Sequence, residues 1–189
     1  MTLRFATPED SRALLEIYAQ YIDTPITFEY ALPTEQELAG RIRGISECYP
    51  YILCEENNTI AGYAYACRYR SREAYQWDAE ASVYIARGST SKGLGKALYG
   101  VLIELLRLQG VKTVYGGVVT PNVKSEALHK SLGFQVLGTA YNTGYKNGQW
   151  LDVTWFQKQI AEYDSAPRPV VPVNKLHREQ VVEILLSAV

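Results

Sequence analysis

The sequence predicts a single domain of the α/β (α+β) class, in which strands and helices alternate along the chain. Residues 77–86 alternate polar and apolar side chains as a half-buried strand does. Residues 94–108 instead repeat apolar side chains at the i, i+3, i+4, i+7 spacing of a helix, which Gly110 ends. The 189 residues are enough for one domain with a sizeable core, and 47% of them are hydrophobic.

The N-terminal part begins with a short predicted strand over residues 3–6. A first helix is expected to follow it, with Thr7 as the cap and Pro8 at the first helical position. A second helix is expected after Thr34, because Thr34 and Glu37 have the spacing of a capping box.

A hairpin and the alternating strand come next. Residues 51–55 and 60–67 are rich in strand formers and are joined by the turn-forming residues 56–59. In the strand over residues 77–86, the alternation puts Glu80 on the polar face and Ala81 on the apolar face.

The remaining elements of the domain follow the helix over residues 94–108. We expect a strand, a helix closed by Gly133, and an antiparallel pair around Asn147 and Gly148. Their predicted ranges are 112–119, 122–132, 134–141 and 150–158.

The C-terminal part has a different composition. Three prolines, Pro167, Pro169 and Pro172, mark a linker over residues 164–174. Residues 175–188 then show an amphipathic helical pattern. We therefore predict a main domain over residues 1–163 and an appended helix in residues 175–189, packed on the domain or on a partner subunit.

Composition argues against several classes of protein. The net charge of −1 and pI of 6.2 argue against a nucleic-acid ligand. No apolar run approaches the roughly 20 residues of a membrane span, and the N-terminus lacks a secretory apolar core. Cys48, Cys54 and Cys67 lack zinc-like spacing. We expect a cytoplasmic protein with reduced thiols, no metal, no membrane and no nucleic acid.

The most informative segment is S-K-G-L-G-K, residues 91–96. It is neither a Walker loop nor a G-x-G-x-x-G motif, because the spacing differs and position 98 is Leu. Its glycines nevertheless open a helix, whose free N–H groups suit a phosphate. Lys92 and Lys96 can neutralise a diphosphate or act as solvated surface charges. With Glu80 one strand-length away as a proton acceptor, the segment favours a group-transfer enzyme with a phosphorylated cofactor.

Several motifs in order resemble one family. Besides S-K-G-L-G-K, they are T-F-E-Y near Phe28 and the segments R-E-A-Y-Q-W (72–77), E-A-S-V-Y-I (80–85), A-L-H-K-S-L-G-F (127–134) and G-Y-K-N-G-Q-W-L-D-V (144–153). Across residues 2–160 the chain resembles the GNAT acetyltransferases, most closely the phosphinothricin and methionine sulfoximine branch. The resemblance implies a mixed, mostly antiparallel and splayed central sheet flanked by helices.

The resemblance assigns the acetyl-CoA contacts to three places. Val83, Tyr84 and Ile85 match the strand that pairs with the pantetheine arm, and Asn122 matches a cofactor contact, although it is also an ordinary helix cap. The pyrophosphate loop corresponds to Ser91, Lys92, Gly93, Leu94, Gly95 and Lys96. Thr90 departs from the family, which prefers Gln or Arg at that position.

Two residues match catalytic positions of the branch. Glu80 matches the proposed general base, which the chemistry requires because a protonated amine has no lone pair for attack. His129 matches a histidine expected to relay a proton with Glu80 or to protonate the leaving sulfur. The alternatives are a surface glutamate and a structural histidine.

Acceptor contacts are expected from Phe28 and from Arg72, Glu73, Ala74 and Tyr75. Arg72 would bind a carboxylate, with Arg68 and Arg70 as substitutes. The implied reaction is direct acetyl transfer to the α-amino group of phosphinothricin, methionine sulfoximine, methionine sulfone or a similar small amino acid. Acetylation of a protein N-terminus or a polyamine, and a non-catalytic acyl-CoA sensor, are the alternatives. The resemblance also implies a homodimer.

Overall fold

The computed structural model describes residues 1–187, which form seven strands and five α-helices. In chain order the elements are β1 (Thr2–Phe5), α1 (Ser11–Ala19), α2 (Glu35–Ser46), β2 (Tyr51–Glu56), β3 (Thr59–Arg68), β4 (Asp78–Ile85), α3 (Leu94–Gln109), β5 (Thr113–Thr120), α4 (Val123–Ser131), β6 (Gln135–Lys146), β7 (Gln149–Gln159) and α5 (Arg178–Leu186). The predicted α/β class is confirmed.

All seven strands form one sheet in the order β1-β2-β3-β4-β5-β7-β6. Every neighbouring pair is antiparallel except β4 and β5, which are parallel. The mixed, mostly antiparallel sheet expected from the resemblance is therefore present. The parallel pair lies at its centre, with helices packed on both faces.

The two faces of the sheet have separate cores. Helices α1 and α2 pack on one face, where Leu14 and Ile42 are fully buried. The long helix α3 packs on the other face through residues such as Leu98 and Leu102. Because side chains alternate across a strand, β4 sends Ala79 and Ala81 towards α3 and its polar residues towards α1 and α2.

Three element boundaries differ from the predictions by three residues or more. The C-terminal helix begins at Arg178 rather than at residue 175, after a 3-10 turn at Val173–Lys175. The first helix begins with a 3-10 turn at Pro8–Asp10, and the α-helix starts at Ser11. Strand β6 extends to Lys146 rather than to residue 141, with register shifts at Val136/Gly138 and Ala140/Gly144. These irregularities interrupt the alternation of polar and apolar side chains by which a strand is recognised. The predicted strand therefore ended before the real one does.

The C-terminal segment packs on its own domain. The backbone N–H of Val171 donates to the Gln109 carbonyl (2.8 Å), and that of Val173 donates to the Cys48 carbonyl (3.0 Å). Helix α5 contacts α3 and β1, with Val181 buried. The predicted helix reached residue 188, which lies outside the described residues. No helix within residues 1–187 is both long and apolar enough to span a membrane.

Candidate active site

Strands β4 and β5 separate soon after they begin. They pair only where Asp78–Glu80 faces Thr113–Tyr115, and β5 then continues alongside β7. Because the two strands are parallel, their carboxyl ends open at the same edge of the sheet. The backbone along this opening is left for other hydrogen-bonding partners.

The later residues of β4 present their backbone to this opening. Tyr99 donates to the carbonyl of Ala81 (3.2 Å), and Tyr21 donates to that of Ile85. The N–H of Ala86 points to the other side of β4 and donates to the carbonyl of Ala61 in β3 (2.9 Å). Since backbone groups of alternate residues point to the same edge, the N–H and C=O of Val83 face the opening. This geometry suits the predicted pairing with a pantetheine amide.

A cleft of about 540 Å³ extends from this edge to the N-terminal ends of α3 and α4. Lys92 is exposed and is not among the residues that line it. The other residues predicted to bind the cofactor all line it, namely Val83, Tyr84, Ile85, Ser91, Gly93, Leu94, Gly95, Lys96 and Asn122. Sequence reasoning missed Tyr21, Ser125 and Leu128, which line it too.

The loop before α3 has the conformation of an anion site. Ser91 and Gly93 both have positive φ angles, 64° and 85°. The intrahelical ladder starts when Lys96 and Ala97 donate to the Gly93 carbonyl, so the preceding N–H groups have no helical partner. No acidic residue lies in the first turn of this 16-residue helix. A diphosphate is therefore compatible with both the geometry and the charge.

Asn122 and Thr90 are held within their loops. The side-chain oxygen of Asn122 accepts from the Ser125 N–H (3.2 Å), so the expected helix cap is present. Its amide NH₂ bonds to no other side chain or backbone group of residues 1–187, which leaves it for a ligand. The hydroxyl of Thr90 donates to the Arg87 carbonyl (3.1 Å). Thr90 thus braces the loop at the position where the family prefers Gln or Arg.

Glu80 lies where the opening begins, on the sheet face covered by α1 and α2. Its neighbours across the strands are Cys67 of β3 and Tyr115 of β5. No hydrogen bond or ion pair joins its carboxylate to another residue of the described chain. Burial raises the pKa of Glu80 above that of an ordinary glutamate. A carboxylate with a raised pKa is a stronger base.

His129 lies in the core on the α3 side and is only 3% exposed. Its ring stacks on Phe156, with centroids 4.9 Å apart. Its Nδ1 lies 2.8 Å from the Ser125 carbonyl, and its Nε2 lies 3.2 Å from the Tyr99 hydroxyl. Because a carbonyl only accepts, the neutral ring carries its proton on Nδ1 and leaves Nε2 as an acceptor. Tyr99 has one hydroxyl proton, which it can donate either to the Ala81 carbonyl or to this Nε2. Burial lowers the pKa of His129, which favours this neutral form.

Glu80 and His129 do not contact each other directly. They belong to opposite sides of the sheet, and no hydrogen bond within the described residues connects them. His129 borders a small space of about 70 Å³ between β4 and β5, together with Ser125 and Asn122. Ser125 precedes His129 by one helical turn, so the sequence spacing predicts that the two residues lie close together.

The predicted carboxylate contact lies at an exposed turn. Arg72, Glu73 and Ala74 are all exposed and line neither the cleft nor the small space. Tyr75 is half-buried, with its ring centroid 6.3 Å from that of Tyr69.

Arg70 has a closer connection to Glu80 than Arg72 has. Its guanidinium lies 5.0 Å from the ring centroid of Tyr69 and 5.6 Å from that of Tyr75. Tyr69 in turn stacks on Tyr115 at 4.1 Å, and Tyr115 is the strand neighbour of Glu80. An aromatic cluster therefore leads from Glu80 to the exposed Arg70.

Phe28 belongs to the loop between α1 and α2, which we call the α1–α2 loop (residues 20–34). It packs against Gly144 of β6, where a β-carbon would collide with its ring. The buried ammonium of Lys146 donates to three carbonyls of this loop, those of Ile22 (2.7 Å), Thr24 (2.9 Å) and Thr27 (2.5 Å). Lys146 therefore fastens the loop to the β6–β7 hairpin. The sequence carries no local signal for this long-range contact.

Metal ions in proteins are held by sets of ligand side chains. Within residues 1–187, no group of three or more His, Cys, Asp or Glu side chains is arranged to hold a metal ion.

Two acetyltransferases are similar in sequence to this protein over most of its length. It is 35% identical over 175 residues to a phosphinothricin N-acetyltransferase of Streptomyces viridochromogenes, covering 92% of this chain and 95% of that protein. It is 34% identical to an L-methionine sulfoximine/L-methionine sulfone acetyltransferase of Salmonella typhimurium, covering 86% and 96%.

A solved structure has the same fold. The phosphinothricin acetyltransferase from Sinorhizobium meliloti, in complex with acetyl-CoA, superposes with a TM-score of 0.84 at 35% identity, covering 94% of this chain and 98% of that one. The sequence model of one protein family, the acetyltransferase (GNAT) domain, matches residues 3–155 of this chain. Together with the parted strands and the anion-binding loop, these matches show that the chain belongs to the GNAT acetyltransferase family.

Proposed function

We propose that this protein transfers the acetyl group of acetyl-CoA to the α-amino group of a small amino acid or analogue. Phosphinothricin, methionine sulfoximine and methionine sulfone are the acceptors we infer from the names of its relatives. The observation that carries the proposal is Glu80, a half-buried carboxylate with a raised pKa at the start of the opening, which the loop at residues 91–96 also lines.

The amine attacks the thioester directly in this proposal. Glu80 takes a proton from the ammonium group, directly or through water, and the freed nitrogen forms a bond to the carbonyl carbon. The C–S bond then breaks, and the thiolate of coenzyme A leaves and takes up a proton. Cys67 is a poor alternative nucleophile, because burial raises its pKa to about 11 and so keeps the thiol protonated.

The role of His129 in the proposal follows from its tautomer. Its only N–H in the neutral ring already donates to Ser125, so it cannot directly donate a proton to the sulfur. His129 can accept a proton at Nε2, and it holds the hydroxyl of Tyr99 at the inner end of the opening. Proton transfer to the sulfur would therefore require His129 to be charged first.

The carboxylate of the acceptor would bind an arginine. The predicted residue is Arg72, and the cluster around Tyr69 supports Arg70 as the substitute. Replacing each with Gln in turn gives a matched pair. Replacing the arginine that binds the carboxylate should raise the KM of the amino acid about tenfold or more. Replacing the other arginine should leave this KM unchanged.

We further propose a cytoplasmic homodimer. The edge strand β6 and its hairpin partner expose several large apolar side chains, including Val136, Leu137, Tyr141 and Trp150. An exposed edge strand of this kind favours pairing with another chain. Light scattering on the purified protein should give about twice the 21.2 kDa mass of one chain. A monomer at micromolar concentration would contradict this part of the proposal.

Thiol release from acetyl-CoA, measured across a panel of amines, tests the function. Release with amino acids that carry a free α-amino group is the expected result. Release only with a peptide N-terminus or a polyamine would contradict the acceptor class. Acetyl-CoA binding without release from any amine would indicate a sensor instead.

A further inference from the structure

A second cavity, of about 330 Å³, lies between α2 and the sheet, on the same face as Glu80. Its walls are unusually rich in one residue type. Five tyrosines line it, and we call it the tyrosine cavity: Tyr18, Tyr51, Tyr63, Tyr65 and Tyr84.

Tyr51 and Tyr63 are the two most buried of these tyrosines, and their hydroxyls, like those of Tyr65 and Tyr84, have no hydrogen-bond partner among the described residues. Tyr51 and Tyr63 are each only 2% exposed. Neither hydroxyl hydrogen bonds to another residue of the described chain, although both side chains border the cavity. Neither hydroxyl is among the enclosed polar atoms that lack a partner, so both reach the space of the cavity. The cavity therefore presents two donors that a ligand can satisfy.

The charges at the cavity are balanced. Its charged lining residues are Glu29 and Arg41, which form an ion pair with an N–O distance of 2.5 Å. Leu38 and Ile45 add apolar surface. An occupant with an apolar stem and an uncharged oxygen acceptor fits this lining, whereas an anion would enter without a free counter-ion.

The cavity adjoins the reaction site. Tyr84 lines both the tyrosine cavity and the cofactor cleft. Tyr65 faces Ser82 across the sheet, two residues along β4 from Glu80 and therefore about 7 Å away along the strand. That distance is within the reach of the side chain of an amino acid whose amine lies at Glu80.

We propose that the tyrosine cavity binds the side chain of the acceptor, and that the hydroxyls of Tyr51 and Tyr63 select an uncharged, oxygen-bearing side chain such as a sulfone. This inference rests on the proposed function and specifies its substrate class. Methionine sulfone is thus the preferred acceptor over methionine, which lacks the oxygens, and over phosphinothricin, whose phosphinate is charged.

The test compares kcat/KM for methionine sulfone and for methionine in the wild type and in the Tyr51→Phe/Tyr63→Phe double variant. Both rings remain, so only the hydroxyls are lost. The preference for the sulfone should fall about fivefold or more, with the KM of acetyl-CoA unchanged. Tyr163→Phe is the control, because Tyr163 bonds to Thr113, which does not border the cavity, and the preference should not change.

An unchanged preference in the folded double variant would overturn the proposal. If the double variant does not fold, as judged by its thermal melt, the single Tyr63→Phe variant decides the matter by the same ratio. If the wild type acetylates no amino acid, the proposed function fails by itself. Calorimetric titration with methionine sulfone then tests the cavity separately, and the absence of binding, or equal affinity in the variant, would overturn it.

Discussion

At the scale of single residues, Glu80 illustrates a conflict between catalysis and stability. Its folded pKa is raised by burial, with no cation to compensate. Its contribution to stability is therefore most favourable below the unfolded pKa of roughly 4.3, and is lost as the pH rises through the higher folded pKa. The proposed base acts at neutral pH in its charged form, which folding disfavours.

Replacing Glu80 with Gln should separate these two effects. We expect kcat at neutral pH to fall about 10²-fold or more, because the proposed general base is lost. The melting temperature at the same pH should stay the same or rise, because a half-buried charge without a counter-ion is removed. Steady-state kinetics and calorimetry on the same preparation check both. Near-normal turnover would remove Glu80 from the role of base.

Gly116 makes room for His129. A β-carbon at this position would lie 2.5 Å from the His129 Nε2. Gly116→Ala should therefore displace the ring, lower the free energy of unfolding by about 1–3 kcal/mol and reduce kcat. Chemical denaturation and kinetics measure the two effects.

The control for this substitution is Gly100→Ala in α3, where a β-carbon meets no atom within 4 Å. Alanine in an open helix position should stabilise the protein by up to about 1 kcal/mol. Equal stability of the two variants would contradict the packing argument.

At the scale of elements, the proposed cofactor half of the site was more predictable than the proposed acceptor half. The loop before α3 and the end of β4 are continuous segments, so local patterns are enough to place Gly93 and Val83 at the cleft. The acceptor half depends on contacts between distant segments, such as Tyr69 on Tyr115. A local sequence pattern cannot predict whether Arg70 or Arg72 lies beside these stacked rings.

Lys146 gives a test of coupling between two elements. Lys146→Met leaves three loop carbonyls without their donor and should loosen the α1–α2 loop, which carries Phe28. We expect the KM of the amino acid to rise about tenfold or more, and unfolding to become easier by about 1.5–3 kcal/mol. The KM of acetyl-CoA should rise less, because Tyr21 and Ile26 of this loop line the cleft but residues 91–96 lie outside the loop.

Lys112→Met is the matched control for this variant. Lys112 is also partly buried and pairs with Asp164, away from the α1–α2 loop. It should lose some stability and keep the KM of the amino acid. If both variants raised that KM equally, the effect would reflect general destabilisation rather than the loop.

At the scale of the whole molecule, the C-terminal segment is part of the folded unit. The indole N–H of Trp77 donates to the Arg168 carbonyl (2.9 Å), and the side-chain amide of Gln109 donates to Cys48 and Val171. The sequence predicted a linker and a helix here. It could not decide between packing on the domain and packing on a partner, because an amphipathic pattern gives the apolar face and not what covers it.

Truncation after residue 163 should therefore destabilise the domain. It removes the cover of α5 from α3 and leaves the Gln109 amide without one carbonyl partner. We expect the melting temperature to fall by about 4 °C or more, on the basis of a loss of at least 2 kcal/mol. An unchanged melting temperature would show that the segment is dispensable for folding.

The separation of β4 from β5 also affects how much folded protein a cell retains. The opening leaves the central sheet incomplete, and a ligand that pairs with β4 binds only the folded state. Such a ligand stabilises the fold by RT ln(1 + [L]/Kd), about 2.7 kcal/mol at a hundredfold excess over Kd. Cells with little acetyl-CoA would then hold a larger unfolded fraction open to proteases. The abundance of the protein would follow the supply of its own co-substrate.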